Sequence, residues 1–148
     1  MTGLLVVTGL LVVGAVGAAL RSAHRRLVMV TVRGASMAPT LRDGDRVLVR
    51  RASGARVRRG QIVVLEHPDR DGEYRAPAGR TWMIKRCTAT TGDPVPTGLP
   101  ERCRTVDGRV PPGAITVLSD NLSHPNDSRK FGFLPQDRVL GVVVRGDS

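Results

Sequence analysis

Ser36 and Lys85 are the two residues from which chemistry can be read. Ser36 stands in Gly34-Ala35-Ser36-Met37-Ala38-Pro39-Thr40-Leu41, between small residues and just ahead of a proline. A strand running from Leu27 to Arg33 would end there in a turn that leaves the hydroxyl reachable. A serine hydroxyl is nearly inert without a base. Lys85, in Trp82-Met83-Ile84-Lys85-Arg86, is the candidate base, because of 23 Lys and Arg residues only Lys85 and Lys130 are lysines. Arginine stays charged at any working pH, whereas a lysine among apolar neighbours such as Trp82, Met83 and Ile84 can lose its proton. Residue chemistry alone leaves two bland alternatives open, Ser36 as a turn residue and Lys85 as a snorkelling surface cation. His24, His67 and His124 lie far apart, with no triad carboxylate in view and no ligand spacing, so neither a metal nor another cofactor is expected.

The elements that must position this pair read as short strands between turn signals. Strands are expected over Leu27 to Arg33, Arg46 to Arg50, Gln61 to Glu66, Arg80 to Ala89, Cys103 to Val106, Ala114 to Ser119 and Val139 to Arg145, where β-branched residues recur. Between them fall Arg42-Asp43-Gly44-Asp45, Ala52-Ser53-Gly54, Asp69-Arg70-Asp71-Gly72, Asp107-Gly108 and Pro111-Pro112-Gly113, typical turn chemistry. The one short helical possibility is at Pro39 to Asp43, where a plain turn would do as well. The predicted fold is therefore mostly β.

At 148 residues the chain suits one domain beyond its apolar N-terminus. Residues Gly3 to Leu20 carry no charged side chain, and at about 1.5 Å each they would reach roughly 27 Å, close to a bilayer's hydrocarbon thickness. A membrane anchor with a basic hinge is expected over 1–26 and a β-rich catalytic domain over 27–148. The small residues Ala15-Val16-Gly17-Ala18 also suit a cleavable signal peptide, but Met1-Thr2 offers no basic n-region, which favours the anchor. Arg21, Arg25 and Arg26 follow the span, and taken alone they would put that end in the cytoplasm.

The formal charge of +10 implies an anionic partner or setting, or else a merely solvated Arg-rich surface. One Trp, one Tyr and two Phe are too few to supply stacking platforms, and no nucleic-acid motif is present, so lipid headgroups suit the charge better than nucleic acid. Cys87 and Cys103 bracket a turn-rich loop. A disulfide between them is a candidate, contributing on the order of 3 kcal/mol in the chain-entropy model if the compartment is oxidising.

Five blocks in order give a more specific signal: Ser36-Met37-Ala38-Pro39-Thr40-Leu41, Gly44-Asp45-Arg46-Val47-Leu48-Val49, Gly60-Gln61-Ile62-Val63-Val64, Ile84-Lys85-Arg86, and Asp120-Asn121 through Asp127-Ser128-Arg129-Lys130-Phe131-Gly132. From about Val30 to Val143 the chain resembles the type I signal peptidases. The resemblance implies an antiparallel β-sheet catalytic domain behind one N-terminal transmembrane helix, at the cell membrane and on its extracytoplasmic side. It also implies a serine endopeptidase that removes signal peptides from precursor proteins after small residues, with Ser36 as nucleophile and Lys85 as general base.

Under the same resemblance the Ser36 N–H and the position of Gly34 fall at the oxyanion site, where some members carry a second, hydroxyl-bearing donor in place of Gly34. Met37, Leu41, Met83 and Ile84 fall near shallow pockets for small side chains, and read equally well as ordinary core. Arg86 would pair with Asp120, and Asp127 with Arg129, as support. Two departures stand out. Ser119 replaces a usual glycine, and Pro125 occupies a place where many members have a serine that bonds the lysine, leaving Ser123 or Ser128 as substitutes. A maturation protease of the same family, dedicated to one secreted protein, is the nearest rival function. A non-catalytic, membrane-tethered basic module is the rival from another class.

Overall fold

The computed structural model describes residues 26–69, 73–74 and 79–147. The expected anchor and basic hinge over 1–26 lie outside them, apart from Arg26. No helix among the described residues is long and apolar enough to cross a membrane.

Seven strands form one antiparallel sheet: β1 (Leu27–Thr31), β2 (Arg46–Arg51), β3 (Ile62–Glu66), β4 (Trp82–Thr90), β5 (Ala114–Leu118), β6 (Leu134–Pro135) and β7 (Val139–Asp147). Their order across the sheet is β1-β2-β7-β3-β4-β5-β6, so the C-terminal strand inserts between β2 and β3. That insertion makes β3 a central strand, and its sequence Ile-Val-Val-Leu-Glu suits burial on both faces. Val63 and Leu65 join a core with Met83, Cys87, Ile115 and Val117. Val64, pointing the other way, joins a second core with Met37, Leu41, Val47 and Val49. Each such valine or leucine contributes about 1.5–3 kcal/mol on burial. The two cores thus clamp the middle of the sheet from both sides.

The expected strand at Cys103 to Val106 is absent. A 3-10 turn at Glu101–Cys103 stands there instead, followed by a turn that side chains stitch together. Thr105 Oγ1 donates to Arg109 O at 2.8 Å and Asp107 Oδ1 accepts from Arg109 N at 3.1 Å. These local bonds compete with a ladder and satisfy polar groups that a strand would have paired. Of the two readings of Pro39 to Asp43, the plain turn is the one observed, held by Leu41 N to Met37 O at 2.9 Å. One helical turn that the sequence reading missed, α1 (Ser128–Phe131), is N-capped by Asp127.

Candidate active site

Ser36 is carried on the irregular segment between β1 and β2. Gly34 opens that segment with φ +83, a backbone that only glycine adopts without strain. Its N–H is tied to Asp43 Oδ1 at 2.7 Å. From the other side Asn121 fastens the segment twice, its N–H donating to Ser36 O at 2.9 Å and its Nδ2 to Ala35 O at 3.1 Å. The Ser36 side chain is half-buried and its backbone N–H has no acceptor among the described residues.

Lys85 comes from the middle of β4, where side chains alternate between buried and half-buried. Met83, Lys85 and Cys87 share the buried side of that alternation. Lys85 is only 3 % exposed, and its Nζ lies 2.8 Å from Ser36 Oγ and 3.1 Å from the Ile84 carbonyl oxygen. Burial pushes its pKa below the ordinary lysine value. The negative charge of Asp127 works against that fall and the positive charge of Arg129 adds to it. Forty-nine residues of sequence separate the two side chains, and the sheet brings them into direct contact.

The acidic and basic residues expected to brace the site meet in two pairs. Asp120 takes a forked pair of bonds from Arg86, Nε to Oδ1 at 2.7 Å and Nη2 to Oδ2 at 2.6 Å, while Arg86 Nη1 reaches Gly60 O at 2.8 Å. The Arg86 bond holds the Asp120 carboxyl below its usual range. Asp127 has no exposed surface. Its carboxylate accepts from the Ser119 N–H at 2.9 Å, the Arg129 N–H at 3.0 Å and the Arg129 guanidinium at 3.0 and 2.7 Å. Burial alone would raise its pKa, and these bonds more than reverse that, leaving it lowered.

A cleft of about 510 Å³ opens onto the pair, and Gly34, Ser36, Met37, Met83, Ile84 and Lys85 all line it. Leu41 does not. It is core, packed with Val47 and Val49. His67, His124 and Asn126 also line the cleft, and sequence gave no sign of it because they reach it only through the fold. Of the two proposed substitutes for Pro125, the Ser128 hydroxyl is used elsewhere, accepting from Val117 N at 2.9 Å, and Ser123 is exposed.

Cys87 and Cys103 are both free, which corrects the expected disulfide. The Cys87 thiol points into the core beside Met83 and Val117 and contacts the Ala89 carbonyl, while Cys103 is buried beneath Gly132. Among the described residues no cluster of His, Cys, Asp or Glu is arranged to hold a metal ion.

The family model described as signal peptidase, peptidase S26, matches residues 5–98 and 97–145. The chain is 31 % identical over 130 residues to a probable signal peptidase I-1 of Synechocystis, the match taking in 74 % of this chain and 65 % of that protein. It is 29 % identical to signal peptidase I of Bacillus caldolyticus, over 76 % of this chain and 74 % of that one. Similarity extends to mitochondrial inner membrane protease subunit 1 of Saccharomyces cerevisiae, at 32 % identity over 78 % of this chain and 65 % of the yeast protein. The chain therefore spans roughly two thirds to three quarters of the length of these relatives.

Proposed function

Because the chain belongs to the signal peptidase S26 family, we propose that it is a membrane-anchored serine endopeptidase that removes signal peptides from exported precursors by a Ser36/Lys85 dyad. The observation that carries this reading is the 2.8 Å contact between Lys85 Nζ and Ser36 Oγ, made by a lysine that burial drives toward the neutral amine. A neutral amine can accept the hydroxyl proton as Ser36 Oγ attacks the carbonyl carbon before the scissile bond, and can then pass that proton to the leaving amine. Lys85 next activates a water molecule, which hydrolyses the acyl-enzyme and restores Ser36.

The developing oxyanion needs donors, and the unengaged Ser36 N–H supports that role. A donor of this kind is worth about 3 kcal/mol of barrier. Gly34 offers no side-chain donor, so a second contribution must come from backbone or water. β1 is an outer strand of the sheet and runs directly into the Ser36 segment, which suits a substrate bound as an added strand. The cleft beside it, between Met37, Met83 and Ile84, would take small side chains. The anchor over the N-terminal apolar residues and the extracytoplasmic placement of the domain belong to this same proposal.

The test is cleavage of a precursor carrying an Ala-x-Ala site by the full-length protein in detergent, comparing wild type with Ser36→Ala and Lys85→Arg. Cleavage at that site by wild type, lost in both variants by at least a thousandfold, is the expected result. kcat/KM should also rise with pH through a value below that of ordinary lysine, because only the neutral amine acts. Cleavage that survives Lys85→Arg would sink the dyad. No cleavage by wild type would turn attention to a single dedicated precursor or to a tethering role.

A further inference from the structure

Among the described residues three buried side-chain atoms have no hydrogen-bond partner: Glu66 Oε1, Tyr74 Oη and Ser119 Oγ. The first two belong together, since Arg138 bonds Glu66 and stacks over the Tyr74 ring. Ser119 lies elsewhere, beside Lys85. β4 and β5 pair Arg86 with Leu118, so one step further along the same antiparallel register sets Lys85 opposite Ser119. Residues directly opposed in this way project their side chains to the same side of the sheet. Both are buried, at 3 % and 2 % exposure. The Ser119 N–H is already bonded to Asp127 Oδ2, and its hydroxyl lies close enough to that carboxylate to help lower its pKa while making no hydrogen bond of normal geometry.

Counting donors gives this hydroxyl a task. A neutral lysine amine has two N–H groups and one lone pair. If the lone pair is to face the Ser36 O–H, both N–H groups need acceptors elsewhere, and a buried donor left unmet is costly. The Ile84 carbonyl takes one. We propose that Ser119 is the positioning residue for Lys85, its Oγ accepting the second N–H of the amine while its own proton is donated to the Asp127 carboxylate. A turn about the Ser119 side-chain torsion moves the hydroxyl between staggered positions. The chain of contacts then runs from Ser36 through Lys85 and Ser119 to Asp127, which Arg129 fixes in place. This inference rests on the dyad reading and adds to it the group that aims the base.

The experiment uses the full-length protein with lysine labelled at the ε-carbon. Only Lys85 and Lys130 report, and a Lys130→Arg variant assigns them. The Lys85 titration and cleavage of the Ala-x-Ala precursor are followed in wild type, Ser119→Ala and Ser119→Thr. Asp127 and Arg129 are the charged groups acting on Lys85, His67 and His124 line the same cleft, and all four are unchanged in these variants.

Loss of the Ser119 acceptor disfavours the ammonium form, so in Ser119→Ala the Lys85 titration should move to lower pH. In the same variant kcat should fall about tenfold at unchanged KM, the effect of one modest hydrogen bond. Ser119→Thr, which keeps the hydroxyl, should restore most of both. An unmoved titration in Ser119→Ala overturns the proposal, and so does an equal loss of kcat in the alanine and threonine variants, which a packing defect would give. Failure of the dyad reading shows separately, as cleavage that persists in Lys85→Ala, and the titration needs no substrate.

Discussion

Among the described residues two carboxylates are buried, Asp127 and Glu66, and each meets arginine, but they are held in very different ways. Asp127 sits at the N-cap of α1, and both its oxygens are engaged by backbone and guanidinium donors at 2.7 to 3.0 Å. Glu66 ends β3 and is reached by Arg80 and Arg138 on one oxygen only, at 3.4 and 3.3 Å, leaving Oε1 unmatched. The hollow over Glu66, about 590 Å³, is bordered by Arg51, Arg80 and Arg138. Rigid engagement is thus found beside the proposed Ser36/Lys85 dyad. At the other end of the β3–β4 pair, the carboxylate only offsets surface arginine charge.

Mutation of the two acids is the most direct way to break this comparison. Asp127→Asn strands the Arg129 guanidinium and breaks an ion pair whose carboxylate is fully buried and whose guanidinium is a quarter exposed, so it should cost about 2 kcal/mol in urea unfolding of the full-length protein. Glu66→Gln should cost under about 1 kcal/mol, because its arginines are a third exposed and its contacts are long. Equal costs would show that bond saturation is irrelevant to how firmly each carboxylate is held.

Acid sharpens the same contrast. The folded Asp127 and Asp120 carboxyls both have lowered pKa values. For such groups the stabilisation is complete above the unfolded carboxyl value of about 3.9 and is lost as pH falls through the folded value. Stability should therefore hold down to about pH 4 and decline below it, and Asp127→Asn should make that decline shallower. A decline as steep in the variant as in wild type would mean that Asp127 is not what acid attacks.

The strands that carry this framework were legible because β-branched runs and turn residues alternate so regularly. Six of the seven expected strands have observed counterparts, while the two-residue β6 at Leu134–Pro135 gave no pattern long enough to read. At the site, Ser36 and Lys85 could be singled out from residue type and resemblance, and their contact and burial then came from the fold. The role argued for Ser119 was not legible. Sequence marked it only as a departure from glycine, and its relation to Lys85 depends on the β4–β5 register, which no local pattern encodes. The supposed bridge from Cys87 to Cys103 failed for a related reason. Loop composition reports that two cysteines flank a turn, whereas strand alternation decides that the Cys87 thiol enters the core.

Cys87 offers a finer comparison, because it lies two residues from Lys85 on the same buried side of β4. Burial drives both groups toward their neutral forms, and the chemical results are opposite. A neutral amine has gained a lone pair and becomes a base, whereas a neutral thiol has lost the thiolate that reacts. Burial first, then repulsion by Asp93, pushes the Cys87 thiol up to about 11. Alkylation of Cys87 by iodoacetamide near pH 8, followed in a Cys103→Ala variant, should therefore be at least a hundredfold slower in the native protein than in urea. The measurement bears on more than the cysteine. If Cys87 reacts in the native state as fast as an unfolded thiol, water reaches this side of β4, and the desolvation that lowers the Lys85 pKa is absent as well.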